Sequence, residues 1–117
     1  MTVLDLIGLY SVACVGEMAR STQWYAKLLG REPDDRPMDG LIQCRTPAGG
    51  LQVWKDEERA GRSLLTLVVP DLGVARAELA RAGLTLGPES RGDYGAVAQI
   101  DDPDGNRLTL AEPPETR

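Results

Sequence analysis

The chain has 117 residues, 42% of them hydrophobic, which suits one domain and leaves half-length pieces too small for separate cores. Eighteen acidic residues against thirteen basic ones give a net charge of −5 with no dense basic block, so a nucleic-acid partner is not expected. No apolar run approaches the roughly 18 residues of a membrane span, so no membrane partner is expected, and the absence of histidine excludes a Ser-His-Asp triad.

Residues 3–15 alternate or run apolar as a strand, interrupted near Gly8. Gly16-Glu17 then turns into a helix over 18–29, whose Met18, Trp24, Tyr25, Leu28 and Leu29 recur at helical spacing, and Gly30 closes it. Residues 31–40, with two prolines, read as an irregular edge. Leu41–Arg45 is strand-like, 46–50 a turn, and Leu51–Lys55 a half-buried strand of period two. A charged linker, 56–62, leads to an apolar strand over 63–69, then to Pro70-Asp71, with Asp71 as N-cap of a helix over 72–82 that Gly83 ends. Residues 85–94 repeat the irregular edge. Gly95–Ile100 and Asn106–Ala111 form a hairpin across Asp102-Pro103-Asp104-Gly105, and a polar tail follows.

The order of elements is written twice. Strand, acidic bend, amphipathic helix, closing glycine and further strands occur in 1–58 and again in 59–117. The expected fold is α+β: two tandem β-α-β-β-β modules in a single domain, each helix packed on the convex face of a curved mixed sheet. The functional site is expected between the paired sheets.

Several motifs carry only local structure. The Asp102–Arg107 turn fails as a calcium loop, because aligning Gly105 with the loop glycine puts Ile100 and Ala111 at ligand positions. No Gly-x-Gly-x-x-Gly or phosphate-loop pattern occurs. The acidic pairs Asp34-Asp35, Glu57-Glu58 and Asp101-Asp102 fall on turns or linkers, where solvated surface is expected. Cys14 and Cys44 sit in apolar strands and are expected to be reduced. The opening Met-Thr-Val-Leu-Asp lacks a basic leader region, so a cytoplasmic location is expected.

The stretch Glu17 to Gly30, with Trp24-Tyr25 ahead of Leu28-Leu29-Gly30, is followed by Val69-Pro70-Asp71-Leu72 and by Asp102-Pro103-Asp104-Gly105-Asn106. In that order these segments resemble the vicinal oxygen chelate superfamily, which includes glyoxalase I, bleomycin-resistance proteins, fosfomycin-resistance enzymes and extradiol dioxygenases. The resemblance implies a homodimer and a cup that holds a divalent metal in many members. It carries the metal positions onto Tyr10, Gln52 (or Trp54 if the register shifts), Leu64 and Thr109. Leucine cannot donate and neutral threonine and glutamine donate poorly, so no metal and no cofactor are expected.

Alternation places Tyr10, Val12 and Cys14 on one face, opposite Ser11, Ala13 and Val15, and sets Gln52 and Trp54 against the helix-packed Leu51 and Val53. In the second module Leu64, Thr66 and Val68 face the cup with Thr109 and Ala111, and Gln99 or its neighbour Ala98 completes that wall. The expected ligand-binding set is Tyr10, Val12, Gln52, Trp54, Leu64, Thr66, Gln99 and Thr109. That lining suits a flat, uncharged or weakly cationic organic ligand. The first functional reading is a metal-free binding protein of the bleomycin-resistance type, with no catalytic residue, which sequesters a hydrophobic or aromatic compound and thereby gives antibiotic resistance. The alternatives are a metal-independent isomerase or lyase with Tyr10 as acid/base, and a non-catalytic scaffold whose cup is filled by its own side chains.

Overall fold

Glu17 and Asp71 start the two helices in the same way. Each side chain accepts the backbone N–H three residues on, Arg20 N at 3.3 Å and Val74 N at 3.0 Å, and satisfies a donor the first helical turn leaves free. The computed structural model describes Leu4, residues 6–47 and residues 49–114. Its elements in chain order are β1 (Leu9–Val15), α1 (Met18–Leu29), β2 (Asp35–Met38), β3 (Leu41–Thr46), β4 (Gly49–Lys55), β5 (Leu64–Val68), α2 (Leu72–Arg81), β6 (Ser90–Gly92), β7 (Gly95–Asp101) and β8 (Arg107–Glu112).

The strands make two four-stranded sheets of identical plan, β1-β4-β3-β2 (sheet A) and β5-β8-β7-β6 (sheet B). In each, the first and last strands of the module pair in parallel and the others antiparallel. The β-α-β-β-β repeat is therefore present as expected. The sheets are not closed on one another: β1 and β5 are edge strands, and among the described residues no backbone ladder joins them.

One hydrophobic core serves both modules. Tyr25 of α1 and Leu72 and Leu79 of α2 are buried with Ala13, Val53 and Leu108 of the sheets, while Met18, Trp24, Leu28 and Leu29 pack around them partly buried. Burying each large side chain contributes about 1.5–3 kcal/mol. Trp24 meets Tyr25 edge-on, with ring centroids 4.9 Å apart. The Gly30 turn has φ 71°, the left-handed conformation expected of a closing glycine.

A polar clasp ties the modules together where β1 ends and β5 begins. Asn106 donates from Nδ2 to the Cys14 carbonyl at 2.7 Å and accepts the Ser63 N–H at Oδ1, also at 2.7 Å. Ser63 Oγ accepts the Cys14 N–H at 2.9 Å. Asp104 reaches from the same turn to the Gly16 N–H at 3.2 Å and to Arg20 at 3.1 Å.

Four expectations need correction. The first strand is shorter than 3–15: it spans Leu9–Val15, Leu4 and residues 6–8 lie outside any strand, and Val3 and Asp5 lie outside the described residues. Gly49-Gly50 belongs to β4 rather than to a turn. A Cβ on Gly49 would stand 1.6 Å from the Leu9 carbonyl oxygen, and one on Gly50 2.1 Å from that of Cys44, so the pair permits close strand pairing on both sides. The edge segments contain short strands, β2 with a register shift between Asp35 and Met38. Asp102 is buried, not solvated, because the Tyr25 hydroxyl of α1 donates to it in the core.

Candidate functional site

On sheet A the face away from the helices is built as three rungs. The first carries Tyr10, Gly50 and Arg45. The second carries Val12, Gln52, Gln43 and Asp35, and the third Cys14, Trp54, Leu41 and Met38. The opposite parity, Ser11, Ala13, Val15, Leu51 and Val53, turns to the helices and is partly or fully buried. Gln52 Nε2 donates to Gln43 Oε1 at 2.7 Å, which fixes both amides in the middle rung. Tyr10 and Trp54 flank that rung, 36% and 38% exposed.

Sheet B repeats the plan. Leu64, Arg107 and Asp101 form one rung, Thr66, Thr109 and Gln99 the next, and Val68, Ala111, Val97 and Ser90 the third. Gln99 Nε2 donates to Thr109 Oγ1 at 3.1 Å. Arg107 grips Asp101 with Nε at 3.0 Å and Nη2 at 3.3 Å, and this guanidinium holds the Asp101 carboxyl below the usual carboxylate range. Leu64 and Val68 stand 82% and 68% exposed, a high value for strand residues of their size.

The structure thus places Tyr10, Val12, Gln52 and Trp54 together on sheet A, and Leu64, Thr66, Gln99 and Thr109 together on sheet B. It does not bring the two sets into one cavity within the chain. A cavity of about 480 Å³ lies elsewhere, between Leu28 and Leu29 of α1, Ala75 and Leu79 of α2, and Leu67 and Val69, and of the expected set it touches only Thr66. A second, of about 430 Å³, takes only Gln99. Sequence reasoning missed Gln43, Arg45 and Asp35 on sheet A and Arg107 and Asp101 on sheet B. Alternation carried across β3 from Leu41 would have exposed Gln43 and Arg45; the bulge in β2 hides Asp35 from any such count.

A divalent metal does not fit this face. Tyr10, Gln52, Leu64 and Thr109 offer a hydrocarbon, an amide and two neutral hydroxyls, where such an ion needs carboxylate, imidazole or thiolate donors. Among the described residues no three His, Cys, Asp or Glu side chains cluster closely enough to hold one. No described helix is long and apolar enough to cross a membrane. Cys14 and Cys44 are both free.

The Glyoxalase/Bleomycin resistance protein/Dioxygenase superfamily matches residues 7–110, and the chain belongs to it. Solved structures share the fold. A glyoxalase/bleomycin resistance protein from Catenulispora acidiphila superposes with a TM-score of 0.85 at 26% identity, over 94% of this chain and 100% of the other. An antibiotic binding protein, TnmS3, from Streptomyces sp. CB03234 gives 0.77 at 20% identity, over 97% and 99%. The bleomycin-binding protein of bleomycin-producing Streptomyces verticillus, complexed with copper(II)-bleomycin, gives 0.77 at 19%, over 96% and 100%. No curated protein matches the chain.

Proposed function

We propose that the protein is a metal-free binder that sequesters a hydrophobic or aromatic compound against the open faces of its sheets, as a cytoplasmic homodimer. The observation that carries this reading is the face itself. Tyr10 and Trp54 stand more than a third exposed on either side of the Gln52–Gln43 amide pair, on a sheet whose other side packs toward the helices. Exposed aromatic and aliphatic side chains grouped on one face mark a surface that something covers. Aromatic rings with a few fixed hydrogen-bonding groups hold flat organic molecules by stacking and orient them by polar contact.

The dimer follows from the same surface. Leu64 and Val68 on sheet B need a covering as much as Tyr10 and Trp54 on sheet A. A second copy that set its sheet B over the first copy's sheet A would make two equivalent cups, each lined by both expected sets, in an isologous pair. A resistance role would follow if the compound is toxic, and the antibiotic-binding and bleomycin-binding relatives support that direction.

Native mass spectrometry of the untagged protein tests this reading. Twice the chain mass, with a small organic adduct and no metal, is the expected outcome. A stoichiometric divalent ion overturns the metal-free assignment. A monomer that retains no compound from a panel of planar aromatic molecules overturns the binding assignment.

A further inference from the structure

The middle rung of sheet A ends on a carboxylate with an unused oxygen. Asp35 lies at the far side of Gln43, on the face away from the helices. Its Oδ2 meets Arg45 Nη1 at 2.9 Å, whereas its Oδ1 is shielded from solvent and has no hydrogen-bond partner, the sole such side-chain atom among the described residues. A buried acceptor without a donor is costly, and more so when charged. Arg45, its ion-pair partner, keeps 59% of its side chain in water and belongs to the neighbouring rung with Tyr10, and the Asp35 side chain as a whole is 32% exposed. An exposed pair of this kind is worth little and exchanges readily.

We propose that Asp35 is the recognition point for a basic group on the ligand, with Arg45 as a counter-ion that the ligand's cation displaces. This rests on the binding role proposed above and names the class of compound. Strands spaced about 4.8 Å apart and rungs about 6.8 Å apart set Asp35 roughly 12 Å from Trp54 across the face. The ligand is therefore a planar aromatic molecule with a protonated amine or amidinium about one three-ring width from the stacked end. The ammonium or amidinium N–H supplies the donor that Oδ1 lacks, and the charge replaces that of Arg45 on the same carboxylate. Gln43 and Gln52 lie along the path and offer neutral hydrogen bonds to the bridging atoms. The chain's net charge of −5 favours association with a cation.

Fluorescence titration at low salt with two three-ring probes tests the proposal: proflavine, a planar cation at neutral pH, and acridone, its neutral counterpart in size. The wild type is expected to bind proflavine at least tenfold more tightly than acridone. Asp35→Asn should bring proflavine down to the level of acridone while leaving acridone unchanged, which also shows that the variant is folded. Arg45→Gln should tighten proflavine at least threefold by removing the competing cation. An unchanged proflavine preference in Asp35→Asn, or weaker proflavine binding in Arg45→Gln, overturns the role of Asp35 and leaves the stacking site standing. Failure of the wild type to bind either probe overturns both.

Discussion

Tyr25 Oη donates to Asp102 Oδ2 at 2.7 Å, joining the helix of the first module to the β7–β8 turn of the second. Both groups are buried, Tyr25 1% and Asp102 5% exposed. Asp102 spends its remaining capacity locally, accepting the N–H groups of Asp104 and Asn106 at Oδ1, each at 2.9 Å, and Asn106 Nδ2 at Oδ2, at 2.8 Å. Its buried oxygens are thereby all supplied with donors, as buried polar groups require. Burial, and then the hydrogen bond and charge of Asp102, push ionisation of the Tyr25 hydroxyl well above its ordinary range.

Two consequences are measurable. Tyr25→Phe keeps the ring and removes a donor from the buried Asp102 carboxyl group, so urea denaturation should show a loss of about 1–3 kcal/mol. The wild type should also lose stability at alkaline pH. The folded hydroxyl holds its proton while the unfolded one releases it above about pH 10, so the contribution is complete below that value and falls by about 1.4 kcal/mol per pH unit above it. Tyr25→Phe should remove this component of the alkaline slope; an equal slope in both proteins would show that Tyr25 does not control it.

Asn106 makes a second prediction about the joint between modules. Its side chain, 0% exposed, bonds to Cys14, Ser63 and Asp102 at 2.7–2.8 Å. Asn106→Ala leaves the Ser63 N–H without its acceptor and Asp102 with one donor fewer. A loss of about 3 kcal/mol or more is expected from these uncompensated groups. Hydrogen exchange should rise first at Cys14 and Ser63, on both sides of the joint, before the centres of either sheet respond. Uniform exchange across the whole chain would mean that the clasp is not a separate weak point.

The architecture was legible because its signals are local and repeated. Glu17 and Asp71 mark helix starts, Gly30 and Gly83 mark the ends, and alternation in β1 and β4 assigns Tyr10 and Trp54 to the face opposite Ala13 and Val53. The departures come from contacts between segments remote in sequence. Gly49-Gly50 has the composition of a turn, and only the approach of the Leu9 and Cys44 carbonyls explains its place within a strand. Asp102 has the sequence setting of a surface turn, and its burial depends on a tyrosine 77 residues away. Gln43 follows from alternation along β3, whereas Asp35 lies beyond the β2 bulge, and its place beside Gln43 is set by pairing register, which composition does not encode.

Acid should weaken the fold through its surface pairs, but mildly. Hydrogen bonds from Arg31, Arg59 and Arg107 lower the carboxyl pKa of Asp34, Asp56 and Asp101 respectively. Each such group contributes stability that is present above the unfolded value near pH 4 and is lost as pH falls through the lower folded value. All three pairs lie at the surface, Asp56 partly buried, and their arginines reach into solvent, so salt should screen the effect. The melting temperature is expected to fall between about pH 4 and pH 2, by less at 0.5 M salt than at 0.02 M. A fall that ignores salt would show that these surface pairs are not the acid-sensitive groups.

Trp54 separates binding from folding. It is 38% exposed, flanked in register by Cys14 and Leu41, and lies outside the hydrophobic cluster the modules share, so Trp54→Ala removes little of that core. An anchor that stacks on a ligand, by contrast, accounts for a large part of the affinity when it is truncated. Trp54→Ala should therefore weaken binding of a planar aromatic compound at least tenfold, while the urea midpoint moves by no more than a partly exposed side chain implies. Tyr25→Phe supplies the opposite pattern, with stability lost and ligand affinity retained wherever the protein remains folded. Unchanged affinity in Trp54→Ala would remove Trp54 from the site and with it the stacking face of sheet A, and attention would pass to the cavity between the two helices.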